Sequence, residues 1–497
     1  MKKFIRKVLA LLICISSIFV LCSCAKQEET ATDDNKIEEQ ILSNCETNID
    51  LKSVFDEVNK TNETNCYLTF DEEQFNEYLY INPDYENLFT KSQIQELKKE
   101  KGRCSTISLE EALVDVDTMF NLIKYGYGAY NLLGGDDFFD SLKQEIIDEL
   151  NDDSYAGNFT FSTFERIITI VMKKVVDSHF MIDNYSLGAI SDSNCVYYYN
   201  NDYKFYKDDK GYYLLNQDNV KYYFEKTIQN ENSNISLTML LDDGSLHYCL
   251  NLLCNENNFV KNDQIVLVNE NNEEIIKDIK WSSVTNTEVR DHNNPCSYEW
   301  LDDDVLYIRM KTFHNLSNED YNKYANTGTL AKDAKAVIMD YRGNGGGNHK
   351  ATEDWINNFT GSYSGLSYLM YYKQSYLNGN SSSRYINTQK YEPNYVENDI
   401  PVYVLVDKNS ASATETSIDL LRSVKNVIVV GSNTGGLLLS GSSTSVYLPN
   451  SGLQMDIPAD VTLRYDGQMQ EAKGIYPDIW IDPINSLKAV QKLISSN

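Results

Sequence analysis

Residues 401–436, PVYVLVDKNSASATETSIDLLRSVKNVIVVGSNTGG, constrain the fold of this chain more than any other stretch. Val402 to Val406 is an unbroken apolar run of strand length. It leads into a turn of small residues, Ser410-Ala411-Ser412-Ala413-Thr414, and Glu415 opens a helical pattern that runs through Lys425. A second apolar run, Val427 to Val430, ends at Gly431 and precedes Thr434-Gly435-Gly436. Strand, tight turn, helix, strand is a mount for a serine nucleophile. The turn holds Ser412 at a helix N-terminus, where unpaired backbone N–H groups can stabilise an oxyanion. Ser410, Ser412 and Thr414 also suit plain helix capping. This segment alone favours the cap.

The same alternation begins about a hundred residues earlier. Val305 to Met310 reads as a strand followed by Phe313, and Ala336 to Met339 as another. The second runs into Asp340-Tyr341-Arg342-Gly343-Asn344-Gly345-Gly346-Gly347, with a helix-like piece, Lys350 to Phe359, behind it. Strands alternating with helices imply a βαβ-type core. The glycine run lacks the Gly-Lys-Ser/Thr of a P-loop and the G-x-G-x-x-G spacing of a dinucleotide fingerprint, so a phosphate cradle is set aside. An oxyanion-type loop is the functional alternative to a Gly-rich turn.

Upstream the pattern is helical. Ser108-Leu109-Glu110-Glu111 has the form of a capping box, and Leu113, Val116, Met119, Phe120 and Ile123 recur at helical spacing. Helices are expected again over Phe138 to Leu150 and Ser162 to Val176. The last is followed by Asp177-Ser178-His179. Residues 190–300 alternate short strands with polar turns: Tyr197 to Tyr199, Tyr212 to Leu215, Ser236 to Leu241, Tyr248 to Leu253 and Gln264 to Val268. Asp242-Asp243-Gly244 marks a hairpin within this β-rich insert.

The N-terminus reads as a targeting segment: Lys2, Lys3, Arg6 and Lys7 precede an apolar run from Val8 to Leu21 that is too short to span a membrane. Leu21-Cys22-Ser23-Cys24 resembles a bacterial lipobox, which implies Cys24 as the acylated residue and a lipid anchor on the extracytoplasmic face of the cell membrane. Acidic residues 27–40 then read as a tether. The net charge of −29 argues against nucleic-acid partners, which require a basic face. Seven cysteines follow Cys24, an odd number whose pairing spacing does not decide. No C-x-x-C or histidine cluster suggests a metal.

Taken together, Asp-x-Arg-x-Asn-x-Gly-Gly at 340–347, Ser-Ala-Ser-Ala-Thr-Glu at 410–415 and Gly-x-x-Thr-x-Gly at 431–436 resemble the tail-specific or C-terminal-processing serine peptidases, family S41. Tyr307 to Phe313 resembles that family's opening core strand, and Gly474-Ile475-Tyr476-Pro477-Asp478 its closing motif. The resemblance covers about 300–485, with an extension to Val176–Ile182. It implies an α/β fold with a ClpP/crotonase-like core of ββα units in a superhelix, protein or peptide substrates, and no cofactor.

One branch of the family pairs the serine with a lysine twenty-five residues on; that position here is Leu437. The other, tricorn-like branch uses serine, histidine and glutamate. It implies Ser412 as nucleophile, His179 of the Asp-x-His motif as base and Glu471 as the third member, with Glu415 or an acid of the insert as alternatives. Backbone N–H groups of Gly345 or Gly346, and of Ala413, are the expected oxyanion donors. Thr414 and Phe180 depart from the family's usual serine and threonine, and residues 190–300 lack a Gly-Leu-Gly-Phe carboxylate loop, so any PDZ-like module there is degenerate. The expected organisation is a leader over 1–23, a tether and irregular region over 24–104, a helical region over 105–182, the β-rich insert over 183–300 and the peptidase core over 301–497. The competing expectation is a non-catalytic peptide- or ligand-binding lipoprotein on the same fold.

Overall fold

The computed structural model describes residues 42–68, 83–285, 294–365, 368–373, 375–379, 386–391, 393–464 and 470–496. The leader, Cys24 and the acidic tether therefore lie outside the described residues. Leu42–Asn497 packs as one unit. Among the described residues no helix is long and apolar enough to cross a membrane.

Helix α1 (Leu51–Cys66) starts at Asp50, whose carboxylate accepts the Ser53 N–H at 3.0 Å. Helix α2 (Leu109–Gly126) starts with the expected capping box, Ser108 with Glu111. Helices α3 (Gly135–Leu150) and α4 (Phe161–Met172) complete the helical region. The pattern predicts a helix to Val176, but α4 stops at Met172. Beyond it the backbone tightens into turns, Val175 N–H to Met172 C=O and Phe180 N–H to Asp177 C=O. The Asp177 side chain competes for backbone as well, since it accepts the His179 N–H at 3.0 Å. That early stop carries residues 177–180 out of the helix. A short strand, Met181–Ile182, then pairs with the hairpin strand Gln454–Pro458. Phe180 and Ile182 are buried with α2–α4 and with Val446, Met455 and Val461. The chain directly after His179 is thus fixed by apolar packing.

The insert forms β1 (Val196–Asp208), β2 (Gly211–Asn216), β3 (Lys221–Thr227), β4 (Ser233–Met239), β5 (Leu246–Cys254), β6 (Asn262–Val268) and β7 (Glu274–Lys280). The long β1 serves two neighbours. Its first part pairs with β5, its last residues pair with β2, and the register shifts opposite Cys249 and Leu250 where it bends.

The core follows with β8 (Cys296–Leu301), β9 (Val305–Met310), helix α5 (Asn318–Ala331), β10 (Ala336–Asp340) and helix α6 (Lys350–Thr360). It continues through β11 (Val402–Val406), helix α7 (Ala413–Arg422), β12 (Val427–Gly431), β13 (Asp460–Arg464), β14 (Ile479–Trp480) and helix α8 (Ser486–Ser496). Strands β9, β10, β11, β12 and β14 are parallel neighbours in that order, and β8 closes the edge antiparallel to β9. Both faces are covered, which is why the strands read as solid apolar runs. Val402, Val404 and Val406 pack with α5, α6 and α7 through Tyr324, Trp355 and Ile418. Tyr403 and Leu405 face α1 and α8 through Val54, Val490 and Leu493.

Insert and core share one 15-stranded mixed α/β sheet, β7-β6-β3-β2-β1-β5-β4-β14-β12-β11-β10-β9-β8 with two short strands off this path. The seam is β14, whose Trp480 pairs with both Gly431 and Thr238.

Candidate active site

The site lies where β10 and β11 end. Asp407 follows β11, and its Oδ1 accepts the Gly343 N–H at 2.9 Å and the Asn409 N–H at 3.0 Å, tying the glycine loop to the serine turn. Asn344 continues the tie. Its C=O accepts the Ala411 N–H at 2.9 Å and the Thr414 hydroxyl at 2.9 Å, and its amide donates to Met310 C=O at 3.1 Å. Asp340 and Arg342 brace the loop from below through two hydrogen bonds of 2.8 and 2.6 Å, with Arg342 also donating to Pro483 C=O.

On this frame Ser412 stands at the N-cap of α7 with φ 57° and ψ −122°, a conformation L-residues rarely adopt. The surroundings over-determine it. Glu415 Oε2 accepts the Ser412 N–H at 2.8 Å and the Leu437 N–H at 2.9 Å. Glu415 Oε1 accepts the Gly436 N–H at 2.9 Å and the Thr434 hydroxyl. Burial pushes the Glu415 carboxyl up, and these four donors pull it down. The acid weighed above as an alternative third member therefore holds the backbone of the serine turn.

His179 Nε2 lies 3.0 Å from Ser412 Oγ. Burial lowers the pKa of the ring, and the charge of Asp177 opposes that drop, so the imidazole is neutral near pH 7. Its Nδ1 is buried and makes no hydrogen bond among the described residues. Glu471 is close in the chain fold but does not reach that nitrogen. Its Oε1 accepts the Ser178 N–H at 2.6 Å, and its Oε2 accepts the Leu438 and Leu439 N–H groups at 2.8 and 2.7 Å. Burial, and next the charge of Asp177, push the Glu471 carboxyl up against the pull of the amides. Asp177 holds the next backbone group, the N–H of the histidine itself. It accepts from Tyr127 OH at 2.6 Å, from Ser440 Oγ at 2.7 Å and from the His179 N–H. Two carboxylates thus fix the backbone around His179, and neither binds its ring.

Of the expected oxyanion donors, the Ala413 N–H has no acceptor among the described residues. The Gly346 N–H is already taken by Asn344 Oδ1 at 3.0 Å. Gly346 matters for space: with φ 102°, a Cβ there would come within 2.9 Å of Ser412 Cβ and 3.0 Å of Ala413 N. Gly345 is half-buried in the same loop.

A cavity of about 230 Å³ opens beside the pair, lined among others by His179, Ser412, Ala413, Leu437, Leu438 and Asp460. Sequence reasoning missed three charged residues near it. Asp177 was visible only as part of the Asp-x-His motif. Asp460 directly follows the apolar Ile457 to Ala459 and Lys408 lies two residues past Val402 to Val406, which is the signal that could have flagged them. Lys408 Nζ donates to Ala472 C=O at 2.9 Å and Gly435 C=O at 3.2 Å, and burial brings its pKa down to about 8. Among the described residues no group of three or more His, Cys, Asp or Glu side chains could hold a metal, and all seven described cysteines are unpaired.

Residues 304–481 match the family model Peptidase_S41, described as Peptidase family S41. This segment is similar to peptidase family S41. The S41 match contains Ser412, Glu471 and the glycine loop, whereas His179 lies outside it. The carboxy-terminal processing protease CtpB of Bacillus subtilis (strain 168) is 28% identical over 177 residues, which are 36% of this chain and 34% of that protein. The chain thus matches about a third of the length of this relative. Two solved structures are similar over 78% of the chain. A putative peptidase from Parabacteroides merdae ATCC 43184, of which 96% is covered, has 17% identity and a TM-score of 0.43. Mature CPAF, of which 97% is covered, has 11% identity and a TM-score of 0.41.

Proposed function

We propose that this chain is a serine endopeptidase of the S41 type, anchored by lipid at Cys24 on the outer side of the cell membrane and acting on proteins or peptides. The observation that carries the reading is the 3.0 Å contact between His179 Nε2 and Ser412 Oγ, made across 233 residues of sequence. A serine that served only as a helix cap would gain nothing from a buried neutral imidazole on its hydroxyl. In the proposed reaction Ser412 Oγ attacks the peptide carbonyl carbon as its proton passes to His179 Nε2. The oxyanion faces the Ala413 N–H at the start of α7. The imidazolium then gives its proton to the leaving amine as the C–N bond breaks. Water, deprotonated by the same histidine, releases the acyl group. Asp177 and Glu471 act through the two peptide groups that lead into His179, and the charge of Asp177 favours the imidazolium.

The orphaned Nδ1 of His179 favours a second reading, a cleft that binds peptide without cutting it. Fluorophosphonate labelling separates the two. The proposed peptidase labels in the wild type and Ser412→Ala does not. A wild type that takes up no label under any substrate or pH condition supports the binding protein.

A further inference from the structure

One wall of the cavity beside Ser412 carries a charge with no counterpart. Asp460, the first residue of β13, is 4% exposed, and its Oδ1 has no hydrogen-bond partner among the described residues. Its other oxygen lies toward Gly441, and the Asp460 and Gly441 N–H groups and the Ser442 hydroxyl favour the charged carboxylate, with no cation among them. The remaining charged lining is an ion pair, Arg464 with Asp419 at 2.6 Å, which neutralises itself. Met370, Leu420, Leu437 and Leu438 supply an apolar lining. The volume, about 230 Å³, is below the usual range for a small-molecule site, roughly 300–1,000 Å³, and suits one long side chain.

We infer that this cavity is the subsite for a cationic side chain, lysine or arginine, of the bound peptide, with the Asp460 carboxylate as its counter-charge. The inference rests on the peptidase reading for its location and deepens it to a substrate class. An apolar sleeve ending in one carboxylate matches such side chains part by part: the methylenes bury against Leu437 and Leu438, and the cation meets Asp460. A buried carboxylate with no cation beside it is costly, so pairing it rewards the right side chain, while an acidic side chain would add a second unpaired charge. Burial raises the Asp460 carboxyl to about 6, with the charge of Asp177 contributing, which leaves it mostly ionised at pH 7.5.

The test is a binding measurement that needs no turnover. Peptides Ac-Ala-Ala-X-Ala-Ala-NH2 with X as lysine, norleucine or glutamate are titrated calorimetrically into the Ser412→Ala protein at pH 7.5. The lysine peptide should bind at least tenfold more tightly than norleucine, with glutamate weakest. Adding Asp460→Asn should bring lysine and norleucine together. Equal binding of lysine and norleucine with Asp460 intact overturns the subsite without recourse to the variant, as does a preference for glutamate. Fluorophosphonate labelling of the wild type reports on the peptidase reading separately. A protein that discriminates lysine but takes no label keeps the subsite and loses the hydrolysis.

Discussion

Glu471 Oε1 accepts the Ser178 N–H at 2.6 Å, one peptide unit short of the His179 ring. The carboxylate therefore acts on the histidine as a clamp on its main chain. Glu471→Gln keeps the size but offers one acceptor oxygen where three N–H groups need two. At least one buried N–H loses its partner, at a cost of about 1–3 kcal/mol. Urea unfolding should show that loss, and the fluorophosphonate labelling rate should fall without vanishing. A variant as stable and as reactive as the wild type would remove the clamp from the account.

Gly346→Ala tests the space around Ser412. The new methyl would come within 2.7 Å of Ala411 C=O and 2.9 Å of Ser412 Cβ, at a backbone φ of 102°. Strain of this kind costs of order 1–3 kcal/mol, and it falls on the serine turn. Labelling should drop by about a hundredfold while the thermal midpoint falls by only a few degrees. Near-normal labelling would mean that the loop yields more readily than its contacts suggest.

The acid limb of reactivity follows His179, which must be neutral to take the serine proton. Burial holds its pKa below the ordinary 6.5, so labelling rate against pH should rise with a midpoint below 6.5. The charge of Asp177 opposes the drop, and Asp177→Asn should therefore move the midpoint lower still. A midpoint above 6.5 in the wild type, or an upward move in the variant, contradicts this order of effects.

Asp460 gives stability its own pH dependence. Its carboxyl titrates at about 6 in the folded chain against an ordinary 3.8. A raised carboxyl favours the protonated folded state, so its contribution is present below pH 3.8 and lost as the pH rises through 6. Over that window the loss is on the order of 3 kcal/mol. In Asp460→Asn the decline in unfolding free energy between pH 4 and 7 should be correspondingly shallower. Parallel curves for the two proteins would place the carboxylate in a wetter setting than the cavity wall.

What the sequence made legible was local. Val402–Val406 and Val427–Val430 announced themselves because a parallel strand buried on both faces must be apolar throughout. Ser108 with Glu111 announced the start of α2 because a cap is a chemical pattern of four residues. Strands β3 and β7 were not foreseen: Lys221, Glu225 and Lys226, like Glu274, Lys277 and Lys280, break the alternation on half-exposed strands. The continuity of insert and core through Trp480 was hidden because it depends on one strand of two residues, with two pairs to β12 and one to β4. Within the site, side chains with a defined chemistry, Ser412 and His179, were legible from their motifs. The partners of Glu471 were not, since the acceptors it serves are backbone N–H groups that carry no residue identity.

The separation of Ser412 from His179 by 233 residues has a practical corollary. The S41-matched stretch, 304–481, does not contain the histidine, so on the proposed mechanism that stretch expressed alone would be a nucleophile mount with nothing to activate it. Hydroxyl and imidazole meet only after the whole insert has been threaded between them and the loop it forms has been closed, a step whose entropy is lost before any contact repays it. On that mechanism the chain carries its own interlock: it cannot become reactive in pieces.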